Sequence, residues 1–336
     1  MDDDVNIIKE IRLCNFRCHE VYKLVTSEQT TLILGENGCG KTSVLEGIYI
    51  AMQGKSFRSV DKEILKRGAE YYRVEVVFSD GEKNVVTYDG EKKNFLIQDR
   101  KFLRLPKKQK YPIVLFLPSD LNLIESSPSR KRDYFDRVIV GVNDGYGNSL
   151  ARYNKALKQR NELLKQDYIS ADTMFSWNIL LAKYGVEVRK MRKEVVSLFN
   201  DGLIDKYRSI AKNQDEIELI YDSYTKEISE SEYLKLLEMD FERDRITGHT
   251  NFGIHKDDFN LRFNKANASG SASRGEMRSV VLALKFIEAE MIFEKTGKKP
   301  VVLLDDVFSE LDKTRRQSLV DNFRKHQVIL TSVEKI

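Results

Sequence analysis

Thr30-Thr31-Leu32-Ile33-Leu34-Gly35-Glu36-Asn37-Gly38-Cys39-Gly40-Lys41-Thr42-Ser43 is the stretch that decides how the rest of the chain is read. Thr30 to Leu34 is short, apolar and β-branched, as a buried strand should be. Ser43 to Met52 reads as a helix, with Val44, Leu45, Ile48 and Ala51 on one face. Between them stands Gly-x-x-x-x-Gly-Lys-Thr, and the order strand, loop, helix separates a phosphate-binding loop from a chance glycine turn. Glycines 35, 38 and 40 let the backbone take φ > 0 and turn its N–H groups toward phosphate oxygens. The positive end of the helix adds to that field. The spacing predicts nucleoside triphosphate contacts from Gly35, Glu36, Asn37, Gly38, Cys39, Gly40, Lys41, Thr42 and Ser43. Lys41 should reach the β- and γ-phosphates, and the Thr42 hydroxyl should hold Mg²⁺.

Such a loop needs a carboxylate opposite it. Val301-Val302-Leu303-Leu304-Asp305-Asp306 supplies four buried-strand residues ending in two acids. Asp305 can order the Mg²⁺ shell and Asp306 can polarise the attacking water. An acidic turn that merely ends a strand is the bland alternative, and pairing with Gly35 to Thr42 argues against it. Ser309-Glu310-Leu311-Asp312 follows at once, and Gln327 to Thr331 reads as a last strand before Ser332. Upstream, Ser273-Arg274-Gly275-Glu276 opens a long apolar helix, Met277 to Phe293. A serine hydroxyl and free N–H groups at a helix start make a second phosphate receptor. If that receptor points away from its own phosphate loop, it can serve only a second copy. A head-to-tail homodimer with two nucleotides in the interface is the expectation.

The halves of the site lie far apart in the sequence, so what separates them must leave one domain and rejoin it. Tyr71 to Phe78, Asn84 to Tyr88 and Asn94 to Gln98 read as an antiparallel meander with Asp80-Gly81 and Asp89-Gly90 as hairpin turns. From Arg130 to about Arg245 proline is absent and charges interleave with apolar residues at helical spacing. The expected fold is α/β: an ABC-type P-loop head of mixed sheet plus meander, from 1–120 and 247–336, with an inserted helical arm over 121–246.

Composition bounds the function less sharply. Lys+Arg 56 against Asp+Glu 52 leaves +4 over 336 residues, too little to imply a nucleic-acid partner by itself. Glu91 to Lys110, however, holds eight basic and two acidic residues, whereas Asp201 to Arg245 holds thirteen acidic and seven basic. The first can attract phosphate, and the second suits a protein partner better than DNA. Cys14, Cys18 and Cys39 are few and odd in number, as in a reducing compartment. Cys14-x-x-x-Cys18-His19 lacks a second cluster to complete a metal site. Met1-Asp2-Asp3-Asp4 is the opposite of a secretory signal, and no apolar run has the length of a membrane span. A cytoplasmic protein without a membrane partner is expected. His255, beside Asp257 and Asp258, has no second ligand in reach by sequence and reads as a structural hydrogen-bonding residue, and the arm tyrosines as core.

The order of phosphate loop, Ser-x-Gly-Glu, Asp-Asp strand and Ser-Glu-Leu-Asp resembles the ABC-type ATPases of the SMC group. Over nearly its whole length the chain is similar to the RecF family of bacterial gap-repair ATPases. The matching segments are Asn15-Phe16-Arg17, Gly54-Lys55-Ser56-Phe57-Arg58, Pro128-Ser129 with Arg132 and Asp136, Gln159-Arg160-Asn161, and Gly253-Ile254-His255-Lys256-Asp257-Asp258. In the last, Ile254 and Lys256 depart from the family's Gly-Pro-His-Arg-Asp-Asp. The resemblance implies ATP and Mg²⁺ as cofactors, with Arg17 among the ATP-binding residues. It implies Ser273, Arg274, Gly275 and Glu276 as a signature acting in trans, and Ser309 and Asp312 in the dimer loop. It implies ATP-dependent dimerisation on double-stranded DNA near single-strand/double-strand junctions, and cooperation with RecR and RecO to load RecA. Lys55, Arg58, Lys107, Lys108 and Lys110 are the side chains expected to track DNA phosphates. No base-reading motif is present, so backbone and shape should govern binding. Against the wider ABC pattern, Asp306 stands where many members place Glu, and Ser332 near where they place a switch histidine. Both departures predict slow turnover. The other function class is an SMC-type structural clamp with no recombinase-loading role, disfavoured by an arm too short for a long coiled coil.

Overall fold

The computed structural model describes residues 7–223 and 227–333, so the acidic Met1-Asp2-Asp3-Asp4 lies outside the described residues. The chain opens with a hairpin, β1 (Ile8–Phe16) and β2 (His19–Val25). Its corner holds Asn15 and Arg17 in left-handed conformations, at φ 51° and 56°. β3 (Thr30–Leu34) runs into α1 (Lys41–Gln53), then α2 (Asp61–Ile64) and the meander β4 (Tyr72–Phe78), β5 (Lys83–Tyr88), β6 (Lys93–Ile97) and β7 (Arg100–Phe102). Gly81 and Gly90 take φ 84° and 91° in the two turns expected from Asp-Gly. β8 (Ile113–Phe116) is buried along its length.

α3 (Pro128–Val142), α4 (Tyr146–Leu164), α5 (Ala171–Ala211), β9 (Ile217–Asp222), α6 (Glu230–Met239) and α7 (Phe241–Thr247) follow. Ser127 caps α3 with proline at its first position, and Ser229 with Glu232 forms a capping box on α6. β10 (Asp258–Phe263), β11 (Ala266–Asn267), α8 (Ala268–Ser271) and α9 (Arg274–Thr296) lead to β12 (Val301–Asp305), α10 (Lys313–Phe323) and β13 (Val328–Ser332).

The chain divides into two compact units, Met1–Leu121 with Glu288–Ile336, and Asn122–Ile287. The first contains an antiparallel sheet of order β2-β1-β4-β5-β6-β7 and a parallel sheet of order β3-β13-β12-β8. α1 packs against strands of both sheets, and so it is buried nearly all round rather than on one stripe. Gln327 ties the two sheets: its side-chain oxygen accepts the Ile8 N–H at 2.9 Å while its amide donates to the Ile8 and Ser27 carbonyls at 2.7 and 2.9 Å.

The second unit corrects two expectations. The stretch 121–246 is not wholly helical, because β9 pairs antiparallel with β10 in a sheet of order β11-β10-β9. Consequently the chain does not return to the head at 247. That pairing keeps 258–267 in the second unit, and the boundary falls within α9, between Ile287 and Glu288. Asn200 of α5 exchanges two hydrogen bonds of 2.8 Å with the Leu219 backbone, satisfying the other edge of β9. The unit's interior is unusually polar. Fully buried Arg160 donates to Asp244 at 2.6 Å, Thr250 at 2.7 Å and Asn178 at 2.7 Å. Arg189 forks onto Asp257, and Arg192 onto Asp136. His255 sits between the Tyr153 hydroxyl and the Thr250 carbonyl, each at 2.9 Å, in the structural role expected of it.

Candidate nucleotide site

Parallel strands bring their carboxyl ends to one edge of a sheet, and the site is built there. β3 delivers Gly35, β12 delivers Asp305 and Asp306, and β13, which lies between them, delivers Thr331 and Ser332. The loop after β3 turns on Gly38 and Gly40, at φ 84° and 97°, and Gly40 caps α1 in the left-handed region. Glycine at 40 also answers a close approach: a Cβ there would stand 2.4 Å from Cys18 Sγ and 2.5 Å from His19 Nε2. Lys41 is buried, and its amine donates to the Gly35 and Glu36 carbonyls at 2.6 and 2.9 Å, in the centre of the loop.

Thr42 and Asp305, 263 positions apart, meet directly. The threonine hydroxyl lies 2.8 and 2.9 Å from the two carboxylate oxygens. Thr331 holds the acidic pair from the neighbouring strand. Its hydroxyl donates to Asp305 Oδ1 at 2.9 Å and accepts the Asp306 N–H at 2.9 Å. Asp306 itself is left-handed, at φ 48°. Its Oδ1 is buried and, among the described residues, has no hydrogen-bond partner. Burial pushes this carboxyl above the usual aspartate range, against the pull of Lys41 and with the added repulsion of Asp305 and Glu310. A strained, unsatisfied carboxylate at the mouth of a phosphate loop is the kind of outlier from which a reacting group is inferred. Ser332 is buried at the end of β13, and its carbonyl receives the Gly35 N–H at 3.3 Å.

Several of the other expected residues have partners of their own. The guanidinium of Arg17 forks onto Glu46 of α1 at 2.7 and 2.9 Å and donates to the Glu63 carbonyl at 2.9 Å and to Ser59. Arg58, expected to track DNA phosphates, is exposed and donates to Glu46 at 2.8 and 3.0 Å and to Ser43 at 3.2 Å. The cause in both cases is the fully buried Glu46 carboxylate, which demands cationic partners. Ser273 and Glu276 cap α9 reciprocally, the Ser273 N–H on Glu276 at 2.6 Å and the Glu276 N–H on the serine oxygen at 3.3 Å. Ser273 and Arg274 are exposed, and Gly275 is half-buried. Ser309 donates to the Asp306 carbonyl at 2.7 Å, and Asp312 caps α10 through Arg315 N–H at 3.0 Å. Lys55, Lys107, Lys108 and Lys110 are exposed, and partial burial together with the charges of Lys55 and Lys107 lowers the Lys110 pKa. Thr331 and Glu46 carry no motif of their own in the reading of the sequence. Thr331 could be found only from the strand period that points it at Asp305, and Glu46 only as a carboxylate on an otherwise apolar helix. Among the described residues no group of three or more His, Cys, Asp or Glu could hold a metal, and no helix is long and apolar enough to cross a membrane.

A phosphate loop, a hydroxyl–carboxylate pair and an acidic strand end on this head define a P-loop ATPase of the ABC type. A model of the AAA ATPase domain matches residues 7–329. A DNA replication and repair protein RecF from Clostridium novyi (strain NT) is 32% identical over 332 residues, spanning 96% of this chain and 92% of that protein. The solved structure of the recombination mediator protein RecF–ATP in the RecFOR pathway aligns with TM-score 0.88 at 30% identity, over 98% of this chain and 93% of that one. An Smc head bound to the C-winged helix domain of ScpA aligns at TM-score 0.53 and 14% identity, over 98% and 90%, which shows a shared fold. The chain belongs to the RecF family of DNA replication and repair ATPases.

Proposed function

We propose that this protein is an ATP-gated clamp of recombinational repair that dimerises head to tail on duplex DNA near single-strand/double-strand junctions. With RecO and RecR it promotes RecA loading in the cytoplasm, and slow hydrolysis resets it. The observation that carries the nucleotide half is the buried, unsatisfied Asp306 Oδ1, one residue past the Asp305 that meets Thr42 and within electrostatic reach of Lys41. The donor set fits Mg²⁺ and a triphosphate: Thr42 and Asp305 would hold the ion, with the remaining positions left to phosphate and water. Mg²⁺ bound there would supply charge neutralisation to the phosphates. Lys41 moves its donors from the loop carbonyls to phosphate oxygens. Asp305 is held in place by the Thr331 hydroxyl. Asp306 orients the attacking water through its free oxygen, one methylene short of a glutamate's reach, which favours slow turnover.

Two features support the partners. Ser273 and Arg274 stand exposed at the start of α9, available to a second copy's nucleotide as a signature in trans, and Ser309 and Asp312 are assigned to the dimer loop by the same reading. Partial burial, and after it the charges of Lys55 and Lys107, lowers the Lys110 pKa, and polyanion phosphate relieves such crowding. Binding to gapped and blunt duplex with ATP, ADP and no nucleotide, alongside light scattering, tests the reading. ATP should raise both dimer fraction and DNA affinity, with preference for the gapped substrate. A monomer under saturating Mg·ATP would refute it.

A further inference from the structure

Glu46 is a buried charge that the ATP chemistry does not use. It lies on α1, five positions after Lys41, and is fully buried. Its two oxygens accept from Arg17 Nε and Nη2, Arg58 Nε and Nη2, Ser56 Oγ at 2.6 Å and Ser59 Oγ at 3.3 Å. Burial pushes its carboxyl up, but the hydrogen bonds from Arg17, Arg58 and Ser56 outweigh this and hold it below the usual glutamate range. Ser56, Arg58 and Ser59 all belong to the polar loop that leaves α1 at Gly54 and carries Lys55. One carboxylate therefore folds this loop back onto the phosphate-binding helix. Arg58 closes the circuit, because its Nη2 also donates to Ser43 Oγ at 3.2 Å, one residue past Thr42.

We infer that Glu46 is a positioning residue through which phosphate occupancy sets the conformation of the basic loop 54–59. The inference rests on the clamp reading only for its consequence at DNA. Two guanidiniums share one carboxylate, so the cluster carries a net positive charge. A triphosphate delivers several negative charges beside Ser43, attracting Arg58 and repelling Glu46. That is a differential interaction with two arrangements of the loop, the requirement for a ligand to shift it. Lys55 rides on the loop and changes its presentation with it.

The test uses the full chain and two readouts. Hydrogen exchange of the 54–59 amides is measured with and without Mg·ATP, in the wild type and in Glu46→Gln, which keeps the volume and loses the charge. The wild type should lose protection by about fivefold or more with ATP, as Arg58 leaves Glu46 for phosphate. The variant, already without that tie, should show no ATP-dependent change, although its ATP affinity stays within about threefold. The ATP-induced gain in duplex affinity should shrink from about tenfold to under about twofold in the variant, within the range of ordinary coupling. A residue that merely stabilises the fold would lower Tm without erasing these ATP-dependent differences. If Glu46→Gln fails to fold, Arg58→Lys decides, since it keeps the charge and removes the fork that spans Glu46 and Ser43. Loop protection that follows ATP in a variant lacking the fork or the carboxylate overturns the inference. So does a wild-type loop indifferent to ATP, even where DNA binding responds. A loop that responds through Glu46 in a protein that never binds DNA upholds the inference and removes the clamp reading instead.

Discussion

Thr331 donates its hydroxyl to Asp305 Oδ1 across neighbouring parallel strands, 2.9 Å apart, and through the same oxygen accepts the Asp306 N–H. One small side chain thus fixes the rotamer of one acidic residue and the strained backbone of the next. Thr331→Val, similar in shape but unable to do either, should lower kcat for ATP about tenfold or more while leaving ATP affinity nearly unchanged. Thr331→Ser should retain most activity. Steady-state hydrolysis and equilibrium nucleotide binding on the same preparations check the pair.

Asp306 should separate stability from function. Its carboxyl is raised by burial, so its ionised form opposes folding at neutral pH. The sign follows: the stabilisation from protonating it is present at low pH and lost as pH rises through the raised folded-state value. Asp306→Asn should therefore raise Tm at neutral pH while lowering hydrolysis by about a hundredfold or more. ATP binding should persist, and wild-type hydrolysis should fall as pH drops through that raised value. An Asn variant that melts lower and hydrolyses normally would contradict both halves.

Lys41 lies at the centre of the loop, and the Thr42–Asp305 contact closes it. Lys41→Ala should weaken ATP binding by about a hundredfold or more and with it every ATP-dependent step. Asp305→Asn should instead spare nucleotide binding in the absence of metal and abolish the gain on adding Mg²⁺. Titrations with and without a chelator distinguish the two variants.

Arg160 and Asp244 form a pair with no solvent exposure on either side chain. Arg160→Ala strands a buried carboxylate and should cost about 3–5 kcal/mol, read as a loss in the denaturant midpoint. An apolar replacement of both residues should cost far less than the single change.

His255 offers a pH signature in the same unit. Burial is the main reason its pKa is pushed down to about 4, so the imidazole stays neutral between Tyr153 and Thr250. The unfolded chain takes up that proton near its ordinary value of 6.5, which the folded chain does not until about 4. Stability should therefore fall between those two values, by roughly 3 kcal/mol from this residue alone. Gly253→Ala should unfold the same corner, since φ is 140° there and a Cβ would stand 2.2 Å from the Tyr153 hydroxyl. Unfolding midpoints measured at pH 7 and pH 4.5 check both.

The phosphate loop, the acidic strand and the hairpin turns were legible because each is local: a glycine pattern, an apolar run ending in charge, an Asp-Gly turn. The segments Gln159-Arg160-Asn161 and His255-Lys256-Asp257-Asp258 also stood out, and their meaning did not. Their Arg160 and Asp257 belong to the polar interior of the second unit, where Arg160 reaches Asp244 and Arg189 reaches Asp257 across long sequence separations. β9 was missed because Ile217–Asp222 is acidic and short, and its strand character comes from pairing with β10 and from Asn200. That same pairing keeps 258–267 in the second unit.

The sequence by itself determined that a triphosphate loop and its acidic partner strand exist, since backbone conformation and apolar patterning are set by neighbours in the chain. Only the tertiary structure decided which side chains those elements spend on one another. Burial of Glu46 drew the Arg17 and Arg58 guanidinium groups onto it, and a neighbouring strand put Thr331 between the Asp305 carboxylate and the Asp306 N–H. Such choices are made by desolvated charge and sheet order, and neither is written in any single stretch of residues.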